Sequence, residues 1–276
     1  MKEPSEPPQT NEAAIEAFLR KIDYPDEGAK RYVEIHMERF LRTLTMVPGP
    51  SKTGRVLELG AYMQMTPVLG CVLGYPEVRG AYYGKLGGTD TKAVSAGGSE
   101  VFRCPVDLFD AEKDAYPYAD ESFDTVLACE IFEHFLHDPM HMLFECRRVL
   151  IEGGTLILTT PNVVSYTAVA RVLEMSGNPQ LYSMYADPRG EYADTEFGHM
   201  REYTPGELEQ AVGAAGFEVR YLFTKIAPGY DSHLWVGRFL ERNGATTILR
   251  GEQMFLLATK KSGPVVRYPS FLYEGM

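Results

Sequence analysis

The stretch that decides the fold is FDTVLACEIFEHFLHDP, residues Phe123–Pro139. Its first half predicts a buried β-strand, because Thr125–Cys129 is a short apolar run that follows the turn-like residues 120–122. Its second half carries four side chains of the kind that bind ligands, spaced i, i+3, i+4 and i+7: Glu130, Glu133, His134 and His137. On a helix this spacing places all four side chains on one face.

Two interpretations of these four side chains stay open. In an α/β sheet, ligands bind beyond the carboxyl ends of the strands, which is where this strand would deliver the four side chains. Alternatively, they form the solvated start of a helix, where acidic residues favour the helix dipole. The motifs in the rest of the chain are needed to choose between a ligand-binding site and a solvated helix start.

Composition limits the classes of function. The chain has 276 residues, 45% of them apolar, which is ample for one sizeable core. Its formal net charge of −11 argues against binding exposed nucleic-acid backbone and against an anionic membrane surface. A small or neutral substrate is compatible with this charge.

The cysteines and the first residues indicate the cellular setting. Four cysteines occur, none of them in a CxxC pair: Cys71, Cys104, Cys129 and Cys146. They predict a reduced, intracellular protein without a disulfide framework, and we expect a cytoplasmic location. Residues 1–10 are polar and proline-rich without an apolar stretch, which argues against a signal peptide, and residues 1–11 are predicted to form a disordered leader. No run approaches the ~18 apolar residues of a membrane helix.

Hydrophobic periodicity predicts alternating strands and helices. Two helices, residues 12–22 and 27–45, precede the first strand. The predicted strands are residues 54–60, 78–83, 101–106, the strand that begins at Phe123, 155–160, 217–224 and 254–260. Helices are predicted at residues 68–73, 140–150, 163–175 and 207–215, and the last two strands are expected to pair antiparallel. This order predicts an α/β fold: a doubly wound, mostly parallel, seven-stranded Rossmann-like sheet with an N-terminal helical cover.

The same pattern divides the chain into three parts. Residues 1–53 form the leader and the helical cover, residues 54–262 the α/β domain, and residues 263–276 a C-terminal tail. Residues 176–203 interrupt the strand–helix alternation and are rich in tyrosine, glycine and proline, which predicts a substrate-binding insertion. Its rings would offer a stacking platform: Tyr182, Tyr185 or Tyr192. Ordinary loop packing explains these tyrosines equally well.

The loop after the first strand is a candidate ligand site. Gly54–Gly60 ends with Glu58 and Gly60 and leads into a helix, so backbone N–H groups there could meet a polar ligand. Only Gly60 of the dinucleotide-binding glycine pattern is present. This disfavours a nicotinamide cofactor.

Together these motifs resemble class I S-adenosylmethionine-dependent methyltransferases over residues 54–260. VLELG (56–60) is similar to the first motif of that family, SFDTV (122–126) with EIFEH (130–134) to its fourth-strand signature, RVLIEGGTL (148–156) to the helix and strand that follow, and HMREYTPGEL (199–208) to the segment before strand six. The resemblance implies S-adenosylmethionine as cofactor. It implies contacts with Glu58, Gly60, Ala61, Asp107, Leu108 and Glu130, at the carboxyl ends of strands one, three and four.

The chain departs from the family pattern at two places. Tyr62 and Gln64 occupy the later glycine positions of the first loop, and no acid follows the second strand closely. These departures keep two other classes open: a non-catalytic protein that uses the methyltransferase fold for interaction, and a nicotinamide-dependent oxidoreductase.

A narrower resemblance concerns a metal. Some members of the family, including small-RNA 2′-O-methyltransferases, bind Mg²⁺ through a Glu-x-x-Glu-His motif and a later histidine. Glu130, Glu133 and His134 match the motif, and His199 matches the later histidine. The resemblance implies these four residues as ligands of Mg²⁺ or another divalent cation. In metal-free relatives the Glu-His pair stands at the same place and the histidine packs or contacts substrate, so both interpretations stay open.

The expected reaction is O-methylation of a hydroxyl on a sugar, a glycan or a small-molecule metabolite. His134 is the first candidate for the general base, since the reference pKa of histidine lies near working pH. With a metal on His134, the base would be His137. No exposed nucleic acid and no membrane insertion are expected, and the sequence leaves the oligomeric state open, a homodimer included.

Overall fold

Eight strands form a single sheet within residues 11–182 and 198–274, which the computed structural model describes. The strands are β1 (Arg55–Leu59), β2 (Glu77–Tyr82), β3 (Gly88–Ala96), β4 (Ser99–Leu108), β5 (Phe123–Cys129), β6 (Leu150–Pro161), β7 (Phe217–Lys225) and β8 (Gln253–Lys260). Their order across the sheet is β3-β4-β2-β1-β5-β6-β8-β7. β4, β2, β1, β5 and β6 run parallel, whereas β8, β7 and β3 are antiparallel to their neighbours.

The central strands are buried on both faces, as expected for a parallel sheet between helices. Every residue of β5 from Phe123 to Ala128 is buried, and Val56–Leu59 in β1 are buried as well. The predicted doubly wound, mostly parallel Rossmann-like fold is therefore confirmed. The predicted antiparallel pairing of the last two strands is also observed, between β7 and β8.

The sheet has one strand more than the sequence predicts. Residues 84–98, for which no strand or helix is predicted, contain β3, which forms a hairpin with β4. The turn is Gly97-Gly98, and both glycines have positive φ (60° and 78°), as a two-residue hairpin turn requires. Most of β3 is exposed at the sheet edge, so its sequence lacks the apolar alternation that identifies a strand.

The helices are α1 (Glu12–Leu19), α2 (Glu27–Ile35), α3 (Met37–Met46), α4 (Thr66–Cys71), α5 (Pro139–Val149), α6 (Tyr166–Leu173), α7 (Pro205–Ala214) and α8 (Trp235–Arg242). The long helix predicted over 27–45 is broken at His36, whose φ and ψ are −100° and 14°. α8 has no counterpart among the predicted helices. The capping box at the start of α7 is present, with Thr204 and Glu207 each accepting the other's backbone N–H. Within the described residues, no helix is both long and apolar enough to cross a membrane.

The helical cover is an integral part of the core. Ile15, Leu19 and Leu44 are fully buried and pack in one cluster with Val56 of β1. The cover is also tied to the edge hairpin, because the Asp23 carboxylate accepts the backbone N–H groups of Gly97 and Gly98 at 3.1 and 2.8 Å. The cover and the sheet therefore form one packed unit.

The C-terminal tail packs against the opposite side of the core. Phe271, Leu272 and Tyr273 contact the cluster that contains Phe123. Arg267 binds both carboxylate oxygens of Asp138, at 3.0 and 2.5 Å, and the Tyr273 hydroxyl donates to the same carboxylate. Asp138 precedes α5, so the tail holds the end of the 130–138 loop.

Candidate active site

A cavity of about 550 Å³ lies at the carboxyl ends of the central strands, where α/β sheets bind ligands. The sheet contributes Glu58 and Gly60 after β1, Glu130 after β5, Thr159 from β6, and Gln253 from β8. The helical cover contributes Tyr32, His36, Arg39, Phe40 and Thr43, and the later loops contribute His134, Tyr182 and His199. The cavity thus brings together residues from the whole length of the chain.

Glu58 is a buried carboxyl group at the end of β1, only 2% exposed. Thr66 at the start of α4 donates to its Oε2 at 2.5 Å. Burial raises the pKa of Glu58 to about 7, although the Thr66 hydrogen bond acts in the opposite direction. Gly60 follows with φ 68° and has no atom within 4 Å of the position of a Cβ, so the backbone there faces open space.

Replacement of Glu58 by glutamine is expected to stabilise the protein at pH 8. Because burial raises the folded-state pKa from the ordinary 4.5 to about 7, the unfolded chain loses its proton first as pH rises. Folding stability therefore falls between these pH values, by about 3 kcal/mol at pH 8 and far less at pH 5. Glutamine removes this penalty and keeps an oxygen for Thr66. Thermal unfolding of both proteins at pH 5 and pH 8 measures the effect, and an equal gain at both pH values would contradict it.

Glu130 terminates β5 in an unusual conformation. Its φ is 53°, which is uncommon outside glycine and is often found at functional sites. Its Oε1 accepts from Thr159 Oγ1 at 2.8 Å and Gln253 Nε2 at 2.6 Å, and its Oε2 accepts from Arg39 Nη1 at 2.7 Å. Glu130 therefore lies in the cavity, held by three donors from three separate elements.

Glu133 is completely buried behind the cavity. Thr160 donates to its Oε2 at 2.9 Å, whereas its Oε1 has no hydrogen-bond partner within the described residues. Burial, followed by repulsion from Glu130, raises the pKa of Glu133 well above its ordinary value. An unpartnered buried oxygen is costly, which makes Oε1 a candidate for binding a proton or a cation.

His199 faces that oxygen. Its Nε2 lies 3.9 Å from Glu133 Oε1, and its Nδ1 lies 3.2 Å from Oε1 of Glu202, which is also buried. Glu202 already accepts the backbone N–H groups of Leu181 and Tyr182. Because an ionised carboxylate only accepts hydrogen bonds, Nδ1 of His199 is the donor to Glu202, and the neutral tautomer with this proton has Nε2, 3.9 Å from Glu133 Oε1, as its acceptor.

His134 completes the group. Its ring lies 4.8 Å from the ring of His199 at an angle of 86°, and Tyr182 lies 5.2 Å from His199 on another side. One ligand atom each from Glu133, His134 and His199 falls within 4.8 Å of the others. This donor set fits a divalent cation, since a carboxylate and two imidazoles suit Zn²⁺ or Mn²⁺ and the carboxylate also suits Mg²⁺.

The structure corrects the predicted helical face. After Glu130 the chain forms one short 3-10 helix, Phe132–His134, and then becomes extended, so the four side chains do not share a face. Glu130 binds Arg39 instead of joining Glu133 and His134. His137 is exposed and does not line the cavity, and its backbone N–H donates to Glu112. The four side chains therefore do not all point in one direction, because the backbone that carries them is not an α-helix with 3.6 residues per turn.

Three of the predicted cofactor contacts, Ala61, Asp107 and Leu108, lie outside the cavity lining. Ala61 donates its N–H to Ala81 across β1 and β2. The buried carboxylate of Asp107 accepts a two-pronged bond from Arg79, from Nε to Oδ2 at 3.1 Å and from Nη2 to Oδ1 at 2.9 Å, and further bonds from Thr89 and Tyr118. With these donors in place, Asp107 is engaged within the protein. Of the predicted tyrosine platform, Tyr182 lines the cavity, while Tyr185 and Tyr192 lie outside the described residues.

Sequence reasoning missed the contribution of the helical cover. His36 and Arg39 line the cavity together with Gln253. Burial, and then the positive charge of Arg39, lowers the pKa of His36 to about 4, so its imidazole is neutral at pH 7. The amphipathic pattern of the cover identifies its buried face but says nothing about which strand ends that face meets.

Comparison with known proteins agrees with this geometry. A family model described as a methyltransferase domain matches residues 88–158. A Mycolicibacterium smegmatis protein described as a "Probable S-adenosylmethionine-dependent methyltransferase" is 28% identical over 114 residues. That alignment covers 41% of this chain and 36% of the relative, so the chain spans only about a third of that protein's length.

Two solved structures share the fold. An S-adenosylmethionine-dependent methyltransferase from Archaeoglobus fulgidus superposes with a TM-score of 0.52 at 16% identity, covering 85% of this chain and all of that one. The complex between the Haloferax volcanii Trm112 methyltransferase activator and a methyltransferase gives a TM-score of 0.50 at 15% identity, covering 90% and 98%. These likenesses define the fold class, an α/β methyltransferase fold. Together with the family model, they confirm the resemblance of this chain to class I S-adenosylmethionine-dependent methyltransferases.

Proposed function

We propose that this protein transfers a methyl group from S-adenosylmethionine to a hydroxyl on a sugar, a glycan or a small-molecule metabolite. One observation carries the proposal: a single cavity joins the loop after β1, through Glu58 and Gly60, to Glu130 after β5 and to the histidines His134 and His199. A cofactor over the strand ends and an acceptor beside the histidines would both fit in a cavity of about 550 Å³. Residues 54–262 would form the methyltransferase domain.

Gly60, Glu58 and Glu130 are the cofactor contacts that the cavity supports. Ala61, Asp107 and Leu108 lie at the adjoining strand ends and stay predictions. Tyr62, at a glycine position of the family pattern, lines the cavity and packs edge-on against Tyr82 at 5.1 Å. Exposed rings at this place can stack on the base of the cofactor. They would then help to hold the nucleoside, although no acidic residue closely follows β2.

Binding of S-adenosylhomocysteine is expected to depend on Gly60. Calorimetry should detect the complex, and the melting temperature should rise with ligand concentration, while NADH should produce neither effect. Replacing Gly60 by alanine should weaken binding by about tenfold or more, since a methyl group would occupy the open space where the ligand lies. Gly74 also has positive φ (78°) and no atom within 4 Å of a Cβ position, so Gly74→Ala is a matched control for backbone strain.

The same measurements separate the other classes. Binding of NADH without S-adenosylhomocysteine would favour a nicotinamide-dependent oxidoreductase. Absence of both would favour a non-catalytic interaction protein with this fold. If Gly60→Ala and Gly74→Ala weaken binding equally, Gly60 is not a cofactor contact.

A hydroxyl acceptor is proposed from the chemistry beside the cofactor site. Methyl transfer is an in-line displacement, so the protein has to align the acceptor and take up its proton. Without a metal, the imidazole of His134 is the candidate for that proton, and the Tyr182 ring beside His199 offers a flat apolar contact for a sugar or aromatic ring. Transfer of label from S-adenosylmethionine to a panel of neutral hydroxyl compounds, analysed by mass spectrometry, tests the acceptor class. Methylation confined to amines or carboxylates would contradict it.

A divalent cation is the second version of this site. Glu133, His134 and His199 would hold it, and Glu202 would orient His199 through Nδ1. Two observations support it: Glu133 Oε1 is buried with no hydrogen-bond partner among the described residues, and Nε2 of His199 lies 3.9 Å from that oxygen. A cation bound there would hold the acceptor hydroxyl and lower its pKa. Glu130 is not part of this group of ligand atoms, and its carboxylate binds Arg39, Thr159 and Gln253 instead.

A further inference from the structure

An ion pair lies inside the cavity between the helical cover and the sheet. Arg39 Nη1 of α3 donates to Glu130 Oε2 at 2.7 Å. The two side chains are only 14% and 21% exposed, so their charges are screened less than those of a surface pair. Arg39 also donates through Nη2 to the Tyr32 hydroxyl, which fixes the guanidinium at the cavity wall.

Each partner can accept a second ion of opposite charge. The guanidinium has five N–H donors, and its contacts with Glu130 and Tyr32 leave others to donate. The carboxylate of Glu130 receives Thr159 and Gln253 on Oε1 but only Arg39 on Oε2. The pair therefore offers a positive and a negative pole side by side, within hydrogen-bond reach of one ligand.

An α-amino acid group is a zwitterion of matching size, with an ammonium and a carboxylate on one carbon. S-adenosylmethionine carries such a group at one end. We infer that Arg39 binds the carboxylate of this group and Glu130 its ammonium, so that the ligand inserts between the partners of the ion pair; this inference rests on the proposed function. Arg39 thereby becomes a cofactor-binding residue supplied by the N-terminal cover.

The position of the ion pair favours Arg39 over Lys225, the other long basic side chain of the cavity lining, as the partner of the ligand carboxylate. Lys225 ends β7, which is separated from β5 by β6 and β8. At about 4.8 Å per strand, it starts some 14 Å from the strand that carries Glu130. Arg39 instead contacts Glu130 directly, and Glu130 borders the β1 end where Gly60 and Glu58 lie. An ammonium on Glu130 thus places the adjoining carboxylate next to Arg39.

Two ligands that differ only in the amino acid group test the inference. S-adenosylhomocysteine carries the group, whereas 5′-methylthioadenosine keeps the nucleoside and the sulfur but lacks it. Arg39→Met is expected to raise the dissociation constant of S-adenosylhomocysteine by about 10–100-fold and to change that of 5′-methylthioadenosine by less than about twofold. Arg39→Lys keeps the charge without the planar fork and should fall between the wild type and Arg39→Met.

Arg42→Met is the matched control, because Arg42 lies one turn further on α3, pairs with Glu12 and Glu38, and does not itself line the cavity. It should leave both dissociation constants unchanged. The inference is overturned if Arg39→Met leaves S-adenosylhomocysteine binding intact, or if it weakens both ligands equally, as a purely structural role would. If the wild-type protein binds neither nucleoside, the cofactor assignment itself fails, and the inference fails with it.

Discussion

In the metal version of the proposed site, a chelator is expected to abolish the proposed methyl transfer, and added Mg²⁺ or Mn²⁺ to restore it. Within the part of the chain that the structure describes, Glu133 Oε1 is buried without a hydrogen-bond partner, and it lies 3.9 Å from Nε2 of His199, whose Nδ1 lies 3.2 Å from Glu202. A buried carboxylate oxygen without a donor calls for a proton or a cation. A divalent cation at this point would satisfy both atoms together with His134.

Alanine at His199 should then cost as much as alanine at His134, about 10²–10⁴-fold in rate. The same variants should lose binding of one Mn²⁺ per chain in calorimetry and the accompanying rise in melting temperature, readouts that do not require the acceptor. His141→Gln is the control, since His141 Nε2 bonds the Asp114 carbonyl oxygen at 2.8 Å, away from the cavity. It should keep both metal binding and activity.

The metal-free version gives a different pattern. If chelator has no effect, Mn²⁺ does not bind, and only His134→Ala reduces the rate, His134 is the general base and the cation is excluded. If both alanine variants keep full activity without metal, neither version is correct. The residues around His134 would then be the solvated loop that the sequence also allows.

The largest effect on stability is expected from Asp124→Ala. This carboxylate, only 4% exposed, accepts three backbone N–H groups from the segment that joins the helical cover to β1: Ser51, Thr53 and Gly54, at 2.8–2.9 Å. Alanine leaves these three donors without that acceptor. Thr53 and Gly54 are half-buried and Ser51 is exposed, so water replaces only part of the bonding, and the expected cost is about 3–4 kcal/mol. Chemical denaturation at pH 7 measures the loss, and a loss below about 1 kcal/mol would contradict this account.

The dependence on pH provides a second check. Burial opposes ionisation of Asp124, but the backbone donors prevail and lower its pKa below the ordinary 3.8. Its contribution is therefore complete above pH 5 and decreases as the pH falls through the folded-state pKa. The difference between wild type and Asp124→Ala should narrow in acid. Asp120→Ala is the control: Asp120 lies four residues earlier, its side chain is 74% exposed, and its bond to Arg148 is of the kind worth less than about 1 kcal/mol.

The fold was largely predictable from residue patterns, because burial imposes them. The apolar run of β5 and the strand–helix alternation follow from a parallel sheet covered on both faces. β3 escaped prediction because an exposed edge strand needs no apolar period, although Gly97-Gly98 is a hairpin signal that could have identified it. α8 was missed although its sequence is strongly amphipathic, and its apolar face packs against α6 in a small separate cluster.

The site was predictable only in part. Glu58, Gly60, Glu130, His134 and His199 were identified because family motifs fix residue types at strand ends, and all five line the cavity. The hydrogen-bond partners of these residues were not predicted, because Arg39 and Glu130 are 91 residues apart in the sequence. A left-handed residue at Glu130 also ended the helical period on which the predicted face depended. Local spacing carries no information about either feature.

The helical cover leaves the ribosome before any of its partners exist. Asp23 is synthesised before the hairpin turn at Gly97, to which it binds. In the same way Thr53 precedes its partner Asp124, and Arg39 precedes Glu130. At about 5–20 residues per second, the last of these delays is roughly 5–20 seconds. During synthesis the cover therefore exists before the strands that it packs against. The contact between Arg39 and Glu130 in the cavity wall can form only when β5, the fourth parallel strand in chain order, has been synthesised.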